Sequence, residues 1–282
     1  MNAEPQVAII IVTWNGKEDT LECLQSLSSL TYPNRRIILV DNGSEDGSVE
    51  AVSAAFPDVK LIHSEVNLRF AGGNNLGLRE VLENDDPYCL LLNNDTTVHP
   101  EFLTHLITAA EVDPRRGLVA PKILYYDNPK VIWFGGGVIK PAFGYVRHLG
   151  LRQPDEGHCD QPGEASFLTG CCLLIKREVI EKVGLLDEGF YLYSEDADYC
   201  LRAAKTGYKL YYEPRSRIYH KVSRSTGGAY NLKKWFRRYQ SLWRLVRKHT
   251  SPITYPLFLL NVLFELLTLP LNALLQTLKL KR

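Results

Sequence analysis

Four short apolar runs separated by amphipathic stretches occupy the first hundred residues, and this alternation limits the possible folds more than any other feature. Residues 7–12, 36–40, 59–62 and 88–92 are each short enough for a strand buried on both faces. Between them Leu21, Leu24, Leu27 and Leu30, then Val49, Val52 and Phe56, then Leu76, Leu78 and Leu82 trace helical faces. Strands and helices in alternation with short connections predict an α/β fold, an open, mostly parallel sheet with helices on both faces. Ligands of such a sheet bind beyond the carboxyl ends of its strands.

Polar clusters stand at those ends. Thr13-Trp14-Asn15-Gly16 follows the first run, Asp41-Asn42-Gly43-Ser44 the second and Asn93-Asn94-Asp95 the fourth. One such cluster would be an ordinary turn or helix cap; three converging on one sheet edge point to a binding site. The segment 67–77 places Gly72, Gly73 and Asn74 where a loop becomes a helix, which permits a diphosphate but fits neither the dinucleotide fingerprint nor a P-loop. Asp95 suits a hard divalent cation, which prefers oxygen ligands and bridges carboxylates to phosphates, or it caps a helix ahead of His99-Pro100.

The stretch 191–202 sets Glu195, Asp196 and Asp198 within four positions among aromatic residues. Carboxylates so close repel, which raises at least one pKa and makes the cluster a candidate general base. A charged helix start, with Asp198 and Arg202 paired at i, i+4, is the alternative. His220 ends a strand-like run. Residues 121–164, rich in Gly, Pro and aromatics, read as irregular strands and loops facing substrate; an apolar run at 167–175 precedes a helix over 177–183.

Charge is segregated. The net formal charge is +1, yet after Thr226 ten Lys and Arg stand against one acid, Glu265. Within residues 255–278 Asn261, Glu265, Thr268, Asn272 and Gln276 recur at spacings of three or four, one polar stripe on an apolar helix interrupted by Pro256 and Pro270. That pattern suits an interfacial helix better than a spanning one. Lys233 to Lys248 upstream and Lys279 to Arg282 downstream would meet anionic headgroups, with Trp235, Phe236, Trp243 and Tyr255 at the interface. Packing on the domain, or a homodimer, is the other reading; nothing in the chain suggests nucleic-acid binding. Six Cys are too sparse for a disulfide framework, and residues 1–6 lack a leader's apolar stretch, so a reduced, cytoplasmic protein is expected, peripheral on the inner membrane face.

Taken in order, residues 7–16, Val40-Asp41-Asn42-Gly43-Ser44, Phe70-Ala71-Gly72-Gly73-Asn74-Asn75, Leu91-Leu92-Asn93-Asn94-Asp95, and Tyr193-Ser194-Glu195-Asp196 through Gly207-Tyr208 resemble the family 2 inverting glycosyltransferases of the GT-A fold, in their bacterial rhamnosyltransferase-like branch. The resemblance covers about residues 7–225 and implies a catalytic domain over 1–226, with a nucleotide-sugar half over 1–97 and an acceptor half over 98–226, followed by a basic amphipathic helical tail over 227–282. It implies that Thr13, Asn15, Asp41, Asn42 and Asn94 line the nucleotide, and that Gly72, Gly73 and Asn74 lie beside the diphosphate. Asp95, with His220 as second ligand, would hold Mg²⁺ or Mn²⁺. Asp196 would be the general base and Glu195 its assistant. Two positions depart from the family pattern. Arg69 replaces a usual Gly, a long cation that either meets donor phosphate or carboxylate or points outward, and Asn93-Asn94-Asp95 offers one carboxylate where the DxD motif offers two.

The expected function is sugar transfer from a UDP- or dTDP-sugar to a glycan or lipid-linked acceptor in surface polysaccharide assembly. The rivals are a sugar-phosphate nucleotidyltransferase, for which Asn15-Gly16-Lys17 is a meagre triphosphate loop, and a non-catalytic nucleotide-sugar or membrane-adaptor module.

Overall fold

The computed structural model describes residues 4–222 and 232–279. Its first part follows the predicted rhythm: β1 (Val7–Thr13), α1 (Lys17–Leu27), β2 (Arg35–Asp41), α2 (Ser48–Ala55), β3 (Lys60–His63), α3 (Arg69–Glu83) and β4 (Tyr88–Asn93). β3, β2, β1 and β4 lie side by side and all parallel. β1 is buried almost without a break because helices cover both faces of the sheet.

The second part makes the sheet mixed. β5 (Thr96–Val98), α4 (Phe102–Glu111), β6 (Arg116–Tyr125), β7 (Ile132–Phe134), the hairpin of β8 (Gly137–Lys140) and β9 (Tyr145–His148), β10 (Gly163–Ala165), β11 (Cys172–Lys176), α5 (Arg177–Val183), α6 (Glu195–Lys205) and β12 (Lys209–His220) follow. β11 runs antiparallel between β4 and β6, β12 lies parallel beside β6, and β10 closes that edge. "Mostly parallel" therefore holds for the first half alone.

The expected irregular segment beginning at Pro121 is a further correction, since Pro121 sits inside ten-residue β6. A strand interior tolerates proline where no ladder bond is required. Here β6 pairs with β11 only through Leu118 and Val119, β7 joins it from Ile123, and the register with β12 shifts just after Pro121.

Glycines let α3 approach the sheet. A Cβ on Gly73 would stand 2.7 Å from Val12 Cγ1, and one on Gly77 2.6 Å from Ile10 Cγ2, so these two positions set the close contact of α3 on β1. All six cysteines are buried and free, and burial raises each thiol pKa.

The chain ends in α7 (Leu232–His249) and α8 (Tyr255–Lys279). The predicted boundary at 226/227 lies outside the described residues. The two prolines do not interrupt α8: Pro256 occupies its first turn, where no N–H is needed, and the helix runs on past Pro270. No helix among the described residues is long and apolar enough to cross a membrane.

Part of the basic face of α7 is taken up within the protein, while Arg237 and Arg247 stay exposed. Arg244 and Lys248 pair with Asp187, and Lys248 and His249 with Asp198, both acids lying in the sheet-bearing part of the chain. Of the four aromatics assigned to an interface, Trp235 packs on Tyr239, and Trp243 on Tyr255 and Phe258; Phe236 is the well-exposed one.

Two members of the α8 polar stripe, Asn261 and Glu265, face the body of the protein. Asn261 donates to the Phe143 carbonyl (3.2 Å), and Glu265 accepts from Tyr239 and lies 3.8 Å from Arg147. Leu259, Leu260, Leu263, Phe264 and Leu267 are left exposed on the outer side.

Candidate active site

α1 and α2 carry the chain from β1 outward through β2 to β3, and α3 returns it to β4 on the other side of β1. The connection reverses there, which opens a crevice at the carboxyl ends of β1 and β4. Thr13 closes β1 and Asn94 follows β4; Asn94 Nδ2 reaches Thr20 Oγ1 (3.1 Å) and Thr13 Oγ1 (3.4 Å), while the two threonines bond at 2.9 Å. Asn15, exposed and left-handed (φ 51°), ties this turn to the next, its N–H donating to Ser44 Oγ and its Oδ1 accepting from Glu45 N–H.

Asp41 ends β2 almost fully buried, accepting from Ser44 N–H (3.3 Å) and lying 2.9 Å from Nδ1 of His63, a half-exposed ring that the sequence reading did not single out. Asn42 holds the loop before α3: Leu68 N–H donates to its Oδ1, and its Nδ2 donates to Asn67 Oδ1 and the Arg69 carbonyl. Thr13 and Asp41 thus commit their side chains to protein partners, and Asn15 is the member of this set most open to solvent.

Gly72, Gly73 and Asn74 stand where the loop becomes a helix, as the spacing predicts. They lie in the first turns of α3, where Gly73 faces Val12 and Asn74 donates to the Phe70 carbonyl (2.9 Å). Gly72 is closest to Leu68 and Glu188. The helix-to-sheet approach accounts for the Gly73 signal. Arg69, at the helix start with φ 63°, stacks its guanidinium 3.6 Å from the ring centre of Tyr191.

Asp95 occupies the turn between β4 and β5, and His220 ends β12. Pairing of β5 with β12 brings them together, with His220 Nε2 3.1 Å from Asp95 Oδ1. His220 is buried edge-on against Trp133, and its Nδ1 has no hydrogen-bond partner. Among the described residues no group of three His, Cys, Asp or Glu could enclose a metal. Two donors meeting at one point still fit Mg²⁺ or Mn²⁺ in an open site, because a hard cation bound with a diphosphate fills its shell with phosphate oxygens and water.

The acidic cluster starts α6 after two left-handed non-glycine residues, Tyr193 (φ 68°) and Ser194 (φ 71°). Its three carboxylates have three different environments. Asp198 is fully buried with Arg202, Lys248 and His249 around it, and those hydrogen bonds hold its pKa down to about 2 despite the burial. Asp196 accepts from the backbone N–H of Gly170 (3.0 Å) and Ala197 (2.8 Å). Glu195 is buried, and its Oε2 has no partner. Burial raises the pKa of both Asp196 and Glu195, and for Glu195 the neighbouring Asp196 charge adds to it.

One connection joins the two acidic sites. Gly170, which holds Asp196, precedes Cys171, whose carbonyl accepts from Asn93 N–H (2.9 Å), two residues before Asp95. The Cys171 thiol feels both Asp95 and Asp196. The two carboxylates therefore share one end of the sheet. Gly170 and Thr20 carried no functional signal in the sequence, since a backbone N–H and a helix hydroxyl have no recognisable pattern.

A family profile, Glycosyl transferase family 2, matches residues 8–184, more than half of the chain. The chain belongs to this family. The glycosyltransferase is 28% identical over 239 residues to the N-acetylglucosaminyl-diphospho-decaprenol L-rhamnosyltransferase of Mycobacterium tuberculosis, covering 78% of this chain and 77% of the relative. It is 27% identical over 202 residues to the low-salt glycan biosynthesis hexosyltransferase Agl10 of Haloferax volcanii, covering 71% and 62%.

Two solved structures share the fold. Mannosyltransferase PcManGT from Pyrobaculum calidifontis, in complex with GDP-Man and Mn²⁺, aligns with TM-score 0.59 at 18% identity over 98% of this chain and 80% of its own. GalNAc-T7 with UDP, GalNAc and Mn²⁺ aligns with TM-score 0.62 at 19% identity over 86% of this chain and half of its own. The architecture is the GT-A fold, and the enzyme is of the rhamnosyltransferase-like type.

Glu195 makes the stability of this glycosyltransferase depend on pH. Its pKa rises from an ordinary 4.5 to about 8 on folding, so between those values the folded state keeps a proton that the unfolded chain releases. Stability then falls as pH rises across that window and levels off above it. Denaturant titrations from pH 5 to pH 9 should show this decline, and Glu195→Gln should flatten it; equal slopes in both proteins would assign the decline elsewhere.

Proposed function

We propose that the enzyme transfers a sugar, with inversion at the anomeric carbon, from a UDP- or dTDP-sugar, dTDP-rhamnose included, to a glycan or lipid-linked acceptor of surface polysaccharide assembly. The observation that carries this reading is the placement of Asp95 and Asp196 at one sheet end through Gly170 and Cys171. Asn15, Asp41 and the turns around them form the nucleotide side.

Asp196 is the group to accept the proton of the acceptor hydroxyl. The raised pKa values of the Glu195–Asp196 pair leave it short of one charge near neutral pH, and the two N–H donors on Asp196 draw the remaining charge there. Glu195, without donors at Oε2, keeps its proton and spares Asp196 a neighbouring anion. Asp95 and His220 would hold Mg²⁺ or Mn²⁺, which when bound neutralises charge developing on the leaving diphosphate. The nucleotidyltransferase alternative is not favoured: Lys17 starts α1, its N–H donating to Asp46, and the short turn before it has no glycine-rich loop. The retained carboxylates speak against a non-catalytic module.

The exposed apolar row of α8 is the surface that would rest on an anionic lipid leaflet at the cytoplasmic face, residues 228–282 forming the contact, with a homodimer as the competing occupant. Residues 228–231 and 280–282 lie outside the described part.

A thermal-shift screen of UDP-, dTDP- and GDP-sugars with and without Mn²⁺, repeated with phosphatidylglycerol vesicles, tests the reading. A donor at a hundredfold its Kd adds about 2.7 kcal/mol of stability, several degrees in Tm. The protein should also sediment with anionic vesicles, and Phe264→Glu should weaken that. No response to any nucleotide sugar would sink the assignment; a dimer that ignores vesicles would give α8 to a second copy.

A further inference from the structure

Two guanidinium groups share one aromatic ring beside the candidate base. Arg69 stacks 3.6 Å and Arg237, from α7, 4.2 Å from the ring centre of Tyr191, itself 39% exposed. Among the described residues neither cation lies within ion-pair distance of a carboxylate. Their neighbours differ: Arg244 and Lys248 are neutralised by Asp187, and Arg238 lies 3.9 Å from Glu265. Like charges gathered without a counterion repel, and an arriving anion relieves that cost. The backbone is also strained around the stack, with left-handed residues at Arg69, Tyr193 and Ser194.

From this geometry we infer that Arg69, Tyr191 and Arg237 form a second diphosphate site, which binds the diphosphate of a lipid-linked acceptor. The inference rests on the acceptor-side reading above and deepens it. Guanidinium forks bind phosphoryl oxygens in pairs, and two forks on a rigid ring match a group with two adjacent phosphates.

Location selects the acceptor. A donor diphosphate belongs at the carboxyl ends of β1 and β4, next to Asp95 and His220. The clamp stands close to Asp196: Phe70, after Arg69, packs close to Gly170, which holds Asp196, and Tyr191 comes four residues before Glu195. Arg237 reaches it from α7, which leads into α8 with its exposed apolar row, and Ser241 of α7 donates to the Leu192 carbonyl (2.8 Å). An acceptor with its isoprenoid in the leaflet and its diphosphate on this clamp would bring its sugar toward Asp196. Arg69, placed by resemblance on the donor side, turns its cation toward the acceptor.

The test is calorimetric binding of farnesyl diphosphate below its aggregation concentration, with farnesol and UDP as comparison ligands. Wild-type protein should bind farnesyl diphosphate more tightly than farnesol. Arg237→Ala should lose about tenfold or more of that affinity, the scale of one charge-assisted hydrogen bond, with UDP affinity within about twofold of wild type. Arg237→Lys, which keeps charge but loses the planar fork, should fall between them. Equal binding of farnesyl diphosphate by Arg237→Ala and wild type would overturn the site, and so would a matching loss of UDP affinity, which would give the clamp to the donor. A Tm within a degree or two of wild type shows that the variant is folded, as the exposure of Arg237 leads one to expect. Should the chain bind farnesyl diphosphate through Arg237 yet transfer no sugar from any donor, the proposed function falls and the clamp stands.

Discussion

Asp196→Asn lowers glycosyl transfer by about a thousandfold, within the range that a positioned general base contributes, while donor affinity changes only a few fold. The amide cannot take the acceptor proton, yet it keeps the shape of the carboxylate. It also keeps one oxygen for the N–H groups of Gly170 and Ala197, which now compete for it. That leaves one donor poorly satisfied, a cost of about 1–3 kcal/mol in stability. Radiolabelled transfer and donor titration on the same preparation separate the two effects. Turnover close to wild type would remove Asp196 as the base. Glu195→Gln should cost much less, because Glu195 is already protonated near neutral pH.

The second large effect is on folding. Asp198→Ala should destabilise the enzyme by about 3–5 kcal/mol, because it strips the shared anion from Arg202 (2.8 Å), Lys248 (2.8 Å) and His249 (2.7 Å) in a fully buried position. In a chain of this size that corresponds to a drop in Tm of about ten degrees. The pH dependence has the opposite sign to that of Glu195. The depressed Asp198 pKa gives stability that is complete above an ordinary carboxylate pKa of 3.8 and is lost as pH falls toward about 2. Lys248→Ala, at a third-exposed side chain, should cost less than about 1 kcal/mol. An Asp198→Ala protein as stable as wild type would show that this residue does not anchor α7.

What the sequence revealed follows from the range of the interactions involved. Strands β1 and β4 were legible because burial on both faces writes a continuous apolar run, and α5 because its pattern is local; β3, expected to be buried on both faces, is an edge strand with no fully buried residue. The convergence of Asp95 with His220 required the pairing of β5 with β12, across 125 residues, and only the resemblance anticipated it. Pro121 misled because its tolerance depends on which strands β6 touches at that point. Spacing put Asn261 and Glu265 on one face of α8 but could not tell which way they point, and Arg147 and Phe143 decide that. The cations of α7 read as a headgroup-binding face because their acids, Asp187 and Asp198, lie about fifty residues upstream in another element. Gly73 also packs tightly on β1, a role that needs Val12 in view.

The hidden thiols turn the protein into its own gauge of opening. All six cysteines are buried, Cys159 the least completely, so at the other five a water-soluble alkylating reagent meets little background and reacts when a part of the chain comes apart. Cys23 lies on α1, beside the parallel half of the sheet, whereas Cys200 lies on α6, one turn beyond Asp196. Peptide-by-peptide labelling rates would show whether α6 loosens by itself or only with the whole molecule, with no label or mutation introduced beforehand.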